Sequence, residues 1–310
     1  MTEELYKRHR PTNFRDVVGQ DEVIRQLVDF GRRHELPHFL LFVGPSGTGK
    51  TTVARILRTK IGCGEVDYRE INASDYRGID MVREIRSNMS LAPILGKCRV
   101  WMVDECHQLT SDAQNGFLKV LEDTPSHCYF LLSTTDPQKL KRTIITRATQ
   151  ITFHLLSSKD LKRVVEHVLK MEKGVSLSGD VMDRLVDVAE GSARKALVLL
   201  HSIIGMETEE EQLDGIAKGD FKSKSIEIAR LLMKPGVGWS EVAAVLKGVD
   251  EEHEQLRYMI LGYCRSVLLG GGKMAKRAAA VIDRFQDAMY DSKAAGFALA
   301  CYDVVNPPGD

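Results

Sequence analysis

The residues best equipped to do chemistry stand in two clusters. The first, Gly44-Pro45-Ser46-Gly47-Thr48-Gly49-Lys50-Thr51, fits the pattern G-x-x-x-x-G-K-[ST]. Its glycines let the backbone fold so that successive N–H groups and the dipole of a following helix converge on one point, which suits a polyphosphate. There Lys50 reaches the terminal phosphates and the Thr51 hydroxyl ligates Mg²⁺. The second cluster is Asp104-Glu105, two carboxylates ending the apolar run Arg99–Val103. Asp104 is assigned to the Mg²⁺ shell. Glu105 is assigned to orienting or deprotonating an attacking water, because hydrolysis needs a nucleophile aligned with the terminal phosphorus. Adjacent acids at a strand end would also serve to cap a helix, and the phosphate loop upstream is what favours the catalytic reading.

Such a loop works only between a strand and a helix. Phe39–Val43 is apolar and strand-like, and Val53, Ile56 and Leu57 recur at helical spacing after it. Further strands are expected at Tyr68–Asn72, Arg99–Val103, Cys128–Ser133 and Gln150–Phe153, alternating with helical patterns, the signature of a parallel sheet covered on both faces. Past residue 155 the strand signal ends. Ser157 with Asp160 opens a helix through a capping box, Leu161, Val164, Val165 and Val168 continue it, and Ser192 caps another. The acidic stretch Glu207–Asp220, with Gly215 and Gly219, reads as a linker. Helical sequence follows to Val305, ahead of Pro307-Pro308-Gly309. The expected division is an α/β domain over 1–155, a helical lid over 156–218 and a helical C-terminal domain over 219–310.

At 310 residues, and about 150 residues per domain, two or three domains are expected. The 43% hydrophobic and 28% charged content excludes a disordered or collagen-like chain. Lys plus Arg and Asp plus Glu are each 43, so any DNA contact must come from a local patch rather than a global field. The apolar runs are far short of the roughly 20 residues that cross a bilayer, and the opening residues lack the apolar stretch of a signal peptide. No membrane association and a cytoplasmic location are expected. Six scattered cysteines form no C-x-x-C pair and are read as reduced and mostly buried. The segment Met89–Leu95 is unusually apolar for a connection, and burial under the sheet is expected for it. His107, Gln108 and Gln114 beside the acidic strand could relay contacts to Glu105 or be satisfied loop polars.

The order of these motifs resembles the AAA+ ATPases, specifically the clamp-loader subunits of DNA replication. Leu5-Tyr6-Lys7-Arg8-His9-Arg10-Pro11 and Phe14-Arg15-Asp16-Val17-Val18-Gly19-Gln20 resemble N-terminal boxes shared by the bacterial gamma/tau subunit and the small subunits of replication factor C. Ser133-Thr134-Thr135-Asp136-Pro137-Gln138-Lys139-Leu140 is similar to the gamma/tau sensor 1 segment. Asn72-Ala73-Ser74-Asp75-Tyr76-Arg77-Gly78-Ile79-Asp80 instead resembles replication factor C. The resemblance covers roughly residues 4 to 205 of the chain.

It implies an AAA+ P-loop NTPase with a helical lid and an all-α collar, an ATP hydrolase that opens a sliding clamp and places it on primer–template DNA. ATP and Mg²⁺ are implied as cofactors. Tyr6, Arg10, Pro11, Val17 and Val18 would line the nucleotide's base end, while Gly44, Pro45, Ser46, Gly47, Thr48, Gly49, Lys50, Thr51 and Thr52 would hold its phosphates. Thr135 becomes sensor 1. Arg147, in Thr146-Arg147-Ala148 where the family carries Ser-Arg-Cys, becomes a finger into the neighbouring subunit's site. Arg194, in the first turn of its helix, becomes sensor 2; a cation there works against the helix dipole, which suggests an anion nearby. Arg77 and Arg83 are the DNA candidates, at a helix that lines a DNA-tracking spiral in the family and would grip phosphates by shape.

Other clamp-loader subunits, five in a spiral, are implied as partners. The gamma/tau zinc module has four cysteines between the phosphate loop and the acidic strand. This chain has only Cys63 and Cys98 there, so no zinc is expected, nor is the long tau-type tail. The location would be bacterial cytoplasm or a virus-infected host cell, and nuclear only for a eukaryotic source. A helicase loader or branch-migration helicase, or a nucleotide-binding scaffold without turnover, remain the alternatives.

Overall fold

A computed structural model describes residues 3–172, 176–247, 253–289 and 293–307, with backbone alone described at 220–223 and 293; Pro308 and Gly309, read above as part of the chain's end, lie outside them. The chain divides into two compact units, Met1–Glu209 and Glu210–Asp310.

The first unit opens with α1 (Leu5–Arg8) and α2 (Asp21–Arg33), then alternates β1 (Phe39–Val43), α3 (Lys50–Lys60), β2 (Cys63–Asn72), α4 (Ile79–Met89), β3 (Cys98–Asp104), α5 (Ser111–Glu122), β4 (Cys128–Thr134), α6 (Arg142–Ile145) and β5 (Thr149–Thr152). The strands form one parallel sheet in the order β2-β3-β4-β1-β5. Alternation along the strands splits the core in two. Leu40, Phe42, Val100, Met102 and Leu131 pack with Val23 and Leu27 of α2 and Val53 and Leu57 of α3. Phe39, Leu41, Trp101, Val103, Phe130 and Leu132 face the other way, onto Met81, Ile85, Phe117 and Val120 of α4 and α5. From β1 the chain runs to the far edge and returns strand by strand to β4, beside β1, before crossing to β5. The carboxyl ends of β1 and β4 therefore flank a topological switch point, where ligands bind in open parallel sheets.

Three helices complete this unit: α7 (Ser158–Met171), α8 (Gly179–Ala189) and α9 (Ala193–Ile203). The hydroxyls of Ser157, Ser178 and Ser192 accept hydrogen bonds from the backbone N–H groups of Asp160, Val181 and Lys195, and each such cap contributes about 1 kcal/mol.

The second unit is helical throughout its described residues. Its helices are α10 (Glu209–Met233), α11 (Trp239–Leu246), α12 (His253–Leu269), α13 (Ala275–Phe285) and α14 (Lys293–Val305), around Leu232, Leu256, Ile260, Val281, Phe285 and Phe297. The linker expected at Glu207–Asp220 is corrected here: the chain is helical from Glu209. Glu209, Glu210 and Glu211 suit the positive end of a helix. Gly215 and Gly219 weaken a helix by roughly 1 kcal/mol each without breaking it.

Candidate nucleotide site

The phosphate loop leaves β1 and enters α3 as its spacing requires. Gly47 takes a left-handed φ of 78° and Gly49, the N-cap of α3, one of 103°, a region open to glycine at little cost. At Gly47 a Cβ would also collide with Ser192 Oγ and crowd Arg194, so only glycine lets the loop sit this close to the start of α9. The first N–H groups of α3 have no acceptors within the helix, and no side chain caps them. Lys50 Nζ donates to the carbonyls of Gly44 (2.7 Å) and Pro45 (2.8 Å). Burial lowers its pKa against the opposing pull of Glu105 and Asp104.

The carboxylates arrive from the end of β3. Asp104 accepts from Thr51 Oγ1 at 2.9 Å and from the Ser133 hydroxyl. Glu105 stands at a left-handed φ of 50°, a strained backbone for a side-chain-bearing residue. Its Oε2 accepts from Thr135 Oγ1 at 3.3 Å and lies 3.3 Å from His107 Nδ1. Burial, then the neighbouring Asp104, raises its pKa, which is the direction a proton acceptor near neutral pH needs. Gln114 is buried and satisfied: it donates to the carbonyls of Leu109 and Lys139 and accepts from Lys141 N–H.

One cleft collects Lys50, Thr51, Asp104 and Glu105, whereas Thr135 and Gln114 lie outside its lining. Tyr6, Arg10, Pro11, Val17 and Val18 line it together with Ser46 to Thr52, Asp104, Glu105 and Arg194. Gly44 and Pro45 are not among its lining residues, but their carbonyls hold Lys50, which is. The Arg194 guanidinium lies 5.7 Å from the centroid of the Tyr6 ring. Sequence reading missed Leu156, Val164, His167, Val168 and Leu197, which also line the cleft, as do His9 and Asp16 of the two N-terminal boxes. The helical spacing of Val164, His167 and Val168 was the available signal, but it reads equally well as core. Arg8 Nη2 and His9 Nε2 both sit 2.5 Å from Glu172 Oε1, tying the N-terminal segment to the end of α7.

The residues fit a nucleotide and a divalent cation. Arg10 lines the cleft with a buried Nη1 that has no hydrogen-bond partner; burial, then the nearby Arg55, lowers its pKa. An anion would relieve both. The oxygen pair of Thr51 and Asp104 offers the hard ligands that Mg²⁺ prefers. Among the described residues no group of three or more His, Cys, Asp or Glu is placed to hold a metal by itself.

The remaining expected residues lie outside the cleft lining. Arg147 is exposed, bonded to Glu122 Oε1 (2.9 Å) and the Thr143 carbonyl (3.2 Å). Arg77 is exposed ahead of α4, and Arg83 pairs with Asp80 at 2.8 Å. Among the described residues no helix is long and apolar enough to cross a membrane. The expectation for Met89–Leu95 is corrected: Met89 is buried, but Leu91, Ile94 and Leu95 are 53%, 69% and 75% exposed. The backbone of that segment is held from beneath. Asp67 accepts the N–H groups of Ile94, Leu95 and Gly96 at 2.8–3.0 Å, and Arg99 donates to the carbonyls of Asn88 and Ala92.

A family model described as DNA polymerase III, delta subunit, matches residues 66–157. The DNA polymerase III subunit gamma/tau of Mycobacterium tuberculosis is 29% identical over 309 residues, 91% of this chain and 50% of that protein. The gamma/tau subunit of Mycoplasma pneumoniae is 33% identical over 223 residues, 66% of this chain and 33% of its own length. The tau subunit of Escherichia coli is 34% identical over 224 residues, 64% and 34%. This chain resembles the AAA+ clamp-loader subunits. It spans half or less of the length of these curated relatives. Among solved structures, the Thermotoga maritima RuvB Holliday junction branch migration motor superposes with a TM-score of 0.57 at 19% identity, covering 78% of this chain and 86% of that one. The fold is thus that of an AAA+ P-loop NTPase, a parallel sheet with helices followed by a helical C-terminal region, as the clamp-loader resemblance implied.

Proposed function

We propose that this clamp-loader-like chain is an ATPase subunit that opens a DNA sliding clamp and places it on primer–template DNA, acting in a ring or spiral with other such subunits. The observation that carries the reading is the composition of the cleft. It unites the phosphate loop, the Asp104–Glu105 pair and Arg194, while Arg147 stands outside its lining, exposed.

Bound Mg-ATP would supply the phosphoanhydride and the charge neutralisation for its cleavage. Lys50 and the N–H groups of α3 bind the phosphates, Thr51 and Asp104 hold the cation, and Thr135 orients the Glu105 carboxylate that takes the water's proton. Arg194 couples the lid to the phosphates. Arg147 reaches the cleft of an adjacent subunit, so each site is complete only at a seam. The domains serve these roles as motor (1–155), lid (156–218) and collar (219–310). Arg77 and Arg83 meet the DNA backbone. The exposed Leu91, Ile94 and Leu95, apolar side chains of the kind that mark a protein contact on a segment bonded through its backbone to Asp67, meet the clamp.

The test is ATP turnover by the assembled complex with clamp and primed DNA, added singly and together. Turnover that rises only with both supports the reading, and full activity of an isolated monomer overturns it. Arg147→Ala is expected to reduce assembled turnover by about 10³-fold while ATP affinity stays unchanged; normal turnover by that variant removes the finger assignment. Steady duplex unwinding by the purified chain would instead support a branch-migration motor.

A further inference from the structure

Cys63 and Cys98, separated in sequence, meet in space. They open β2 and β3 and are register partners across the sheet edge. Both are buried, at 8% and 4% exposure, and both belong to the cluster under α2 and α3. Paired residues of neighbouring strands lie about 4.8 Å apart, inside the roughly 4.4–6.8 Å Cα separation that a disulfide spans. The backbone around the pair is permissive. Gly62 and Gly64 flank Cys63, Gly62 at a φ of 79°, and regular pairing stops after Cys63, resuming only at Tyr68 opposite Val100. The remaining nearby thiol, Cys128, belongs to the opposite face of the sheet. The Cys98 thiol, then the backbone at Val100, holds the Cys63 pKa down against burial, whereas Cys98 is pushed up.

We propose that Cys63 and Cys98 are a disulfide-forming pair, closed by exchange with a small disulfide of the glutathione class. The bond staples β2 to β3 at the base of the segment that carries α4 and the tip at Leu91, Ile94 and Leu95. In the first step the Cys63 thiolate attacks one sulfur of the oxidant, whose S–S bond breaks and releases one small thiolate. In the second, Cys98 loses its proton and its thiolate attacks the Cys63 sulfur of the mixed disulfide, expelling the second small thiolate. The protein gives up two electrons and two protons, all carried off by the two small thiols. The corner is already pinned by Lys97 N–H to the Gly62 carbonyl at 2.8 Å, so the bond adds a covalent tie to an existing contact and leaves the fold in place.

The full chain is incubated folded with oxidised glutathione, and its thiols are then counted after denaturation. The expected result is loss of two of the six free thiols, a reducible cross-link joining the tryptic peptides that hold Cys63 and Cys98, and a melting midpoint raised by about 5 °C or more. Amide exchange across residues 64–97 should slow in the oxidised form. Cys98→Ser should stop at a glutathione adduct on Cys63, showing which thiol attacks. The proposal is overturned if the folded chain keeps all six thiols while the unfolded chain reacts, if the cross-link involves any other cysteine, or if wild type stops at the adduct. An oxidised chain with an unchanged midpoint overturns the staple. None of these readouts depends on clamp or DNA.

Discussion

Two corners of the first unit each gather backbone N–H groups onto one spot and do opposite things with them. At the start of α3 the donors stand uncapped beside Lys50, in a cleft that Arg10, with its partnerless Nη1, also lines. At the base of the tip, Ile94, Leu95 and Gly96 give their N–H groups to the Asp67 carboxylate, with Arg99 Nη2 3.7 Å from it. On the proposed reading, the first nest takes its anion from outside and so makes a ligand site. The second has been filled by the chain's own carboxylate, and so makes a scaffold whose apolar side chains can be exposed without collapsing inward. The local chemistry is the same in both, and what separates them is where the negative charge comes from.

The contrast breaks most visibly at Lys50. Lys50→Ala removes a cation that now rests on two carbonyls and is free to exchange them for phosphate oxygens. Charge-assisted hydrogen bonds contribute about 1.5–3 kcal/mol each, so ATP affinity should fall by roughly 100-fold. Isothermal titration with a non-hydrolysable analogue measures this, and affinity within about threefold of the parent would show that the first nest is not the phosphate site. Without nucleotide, what the variant loses is limited to the two bonds to the Gly44 and Pro45 carbonyls and the attraction of Lys50 to Glu105 and Asp104.

The second nest should respond in the reverse sense. Asp67→Asn keeps the shape but removes the charge, and should lower stability by about 2 kcal/mol with ATP affinity intact. Burial raises the Asp67 pKa, but the N–H bonds from Ile94, Leu95 and Gly96 outweigh it and hold the carboxyl below its usual range. A depressed folded pKa means that the stabilisation is fully present above the unfolded value of about 3.9 and is lost as pH falls through the folded value. The stability gap between parent and variant, measured by denaturant unfolding, should therefore be constant near neutrality and narrow below about pH 4. A gap independent of pH down to 2.5 would mean that the charge is not what holds the tip.

The two corners were not equally legible in the sequence. The phosphate loop announces itself because glycine positions, lysine and hydroxyl are all fixed by one ligand, and the strand before it, Phe39–Val43, falls where hydrophobicity alone puts it. Asp104 and Glu105 follow from their place at a strand end. The Asp67 nest has no such signature. Its carboxylate sits in a bulge of β2 that period-2 alternation cannot foresee, between the paired residues Cys63 and Tyr68, and its donors are backbone groups that carry no residue identity. Without it, an apolar stretch such as Leu91–Leu95 reads as buried, because nothing in composition says that the backbone beneath is already satisfied. The lining residues His167 and Val168 were hidden for a related reason: one face of α7 serves both helix packing and the cleft.

The smallest expected effect is also the most discriminating. Leu95, at 75% exposure, makes its backbone bond to Asp67 through its N–H, which any residue other than proline supplies. Leu95→Ser should therefore leave stability within about 0.5 kcal/mol of the parent, as surface substitutions do, and leave ATP affinity unchanged. A hydrophobic packing role would require a loss of 2 kcal/mol or more. If the tip is a contact surface, the same substitution should weaken capture of a sliding clamp by the assembled complex by about tenfold, the scale of one apolar anchor leaving an interface. Clamp binding that survives Leu95→Ser, Ile94→Ser and Leu91→Ser combined would detach the tip from the clamp and leave Asp67 as the architect of a surface for some other partner.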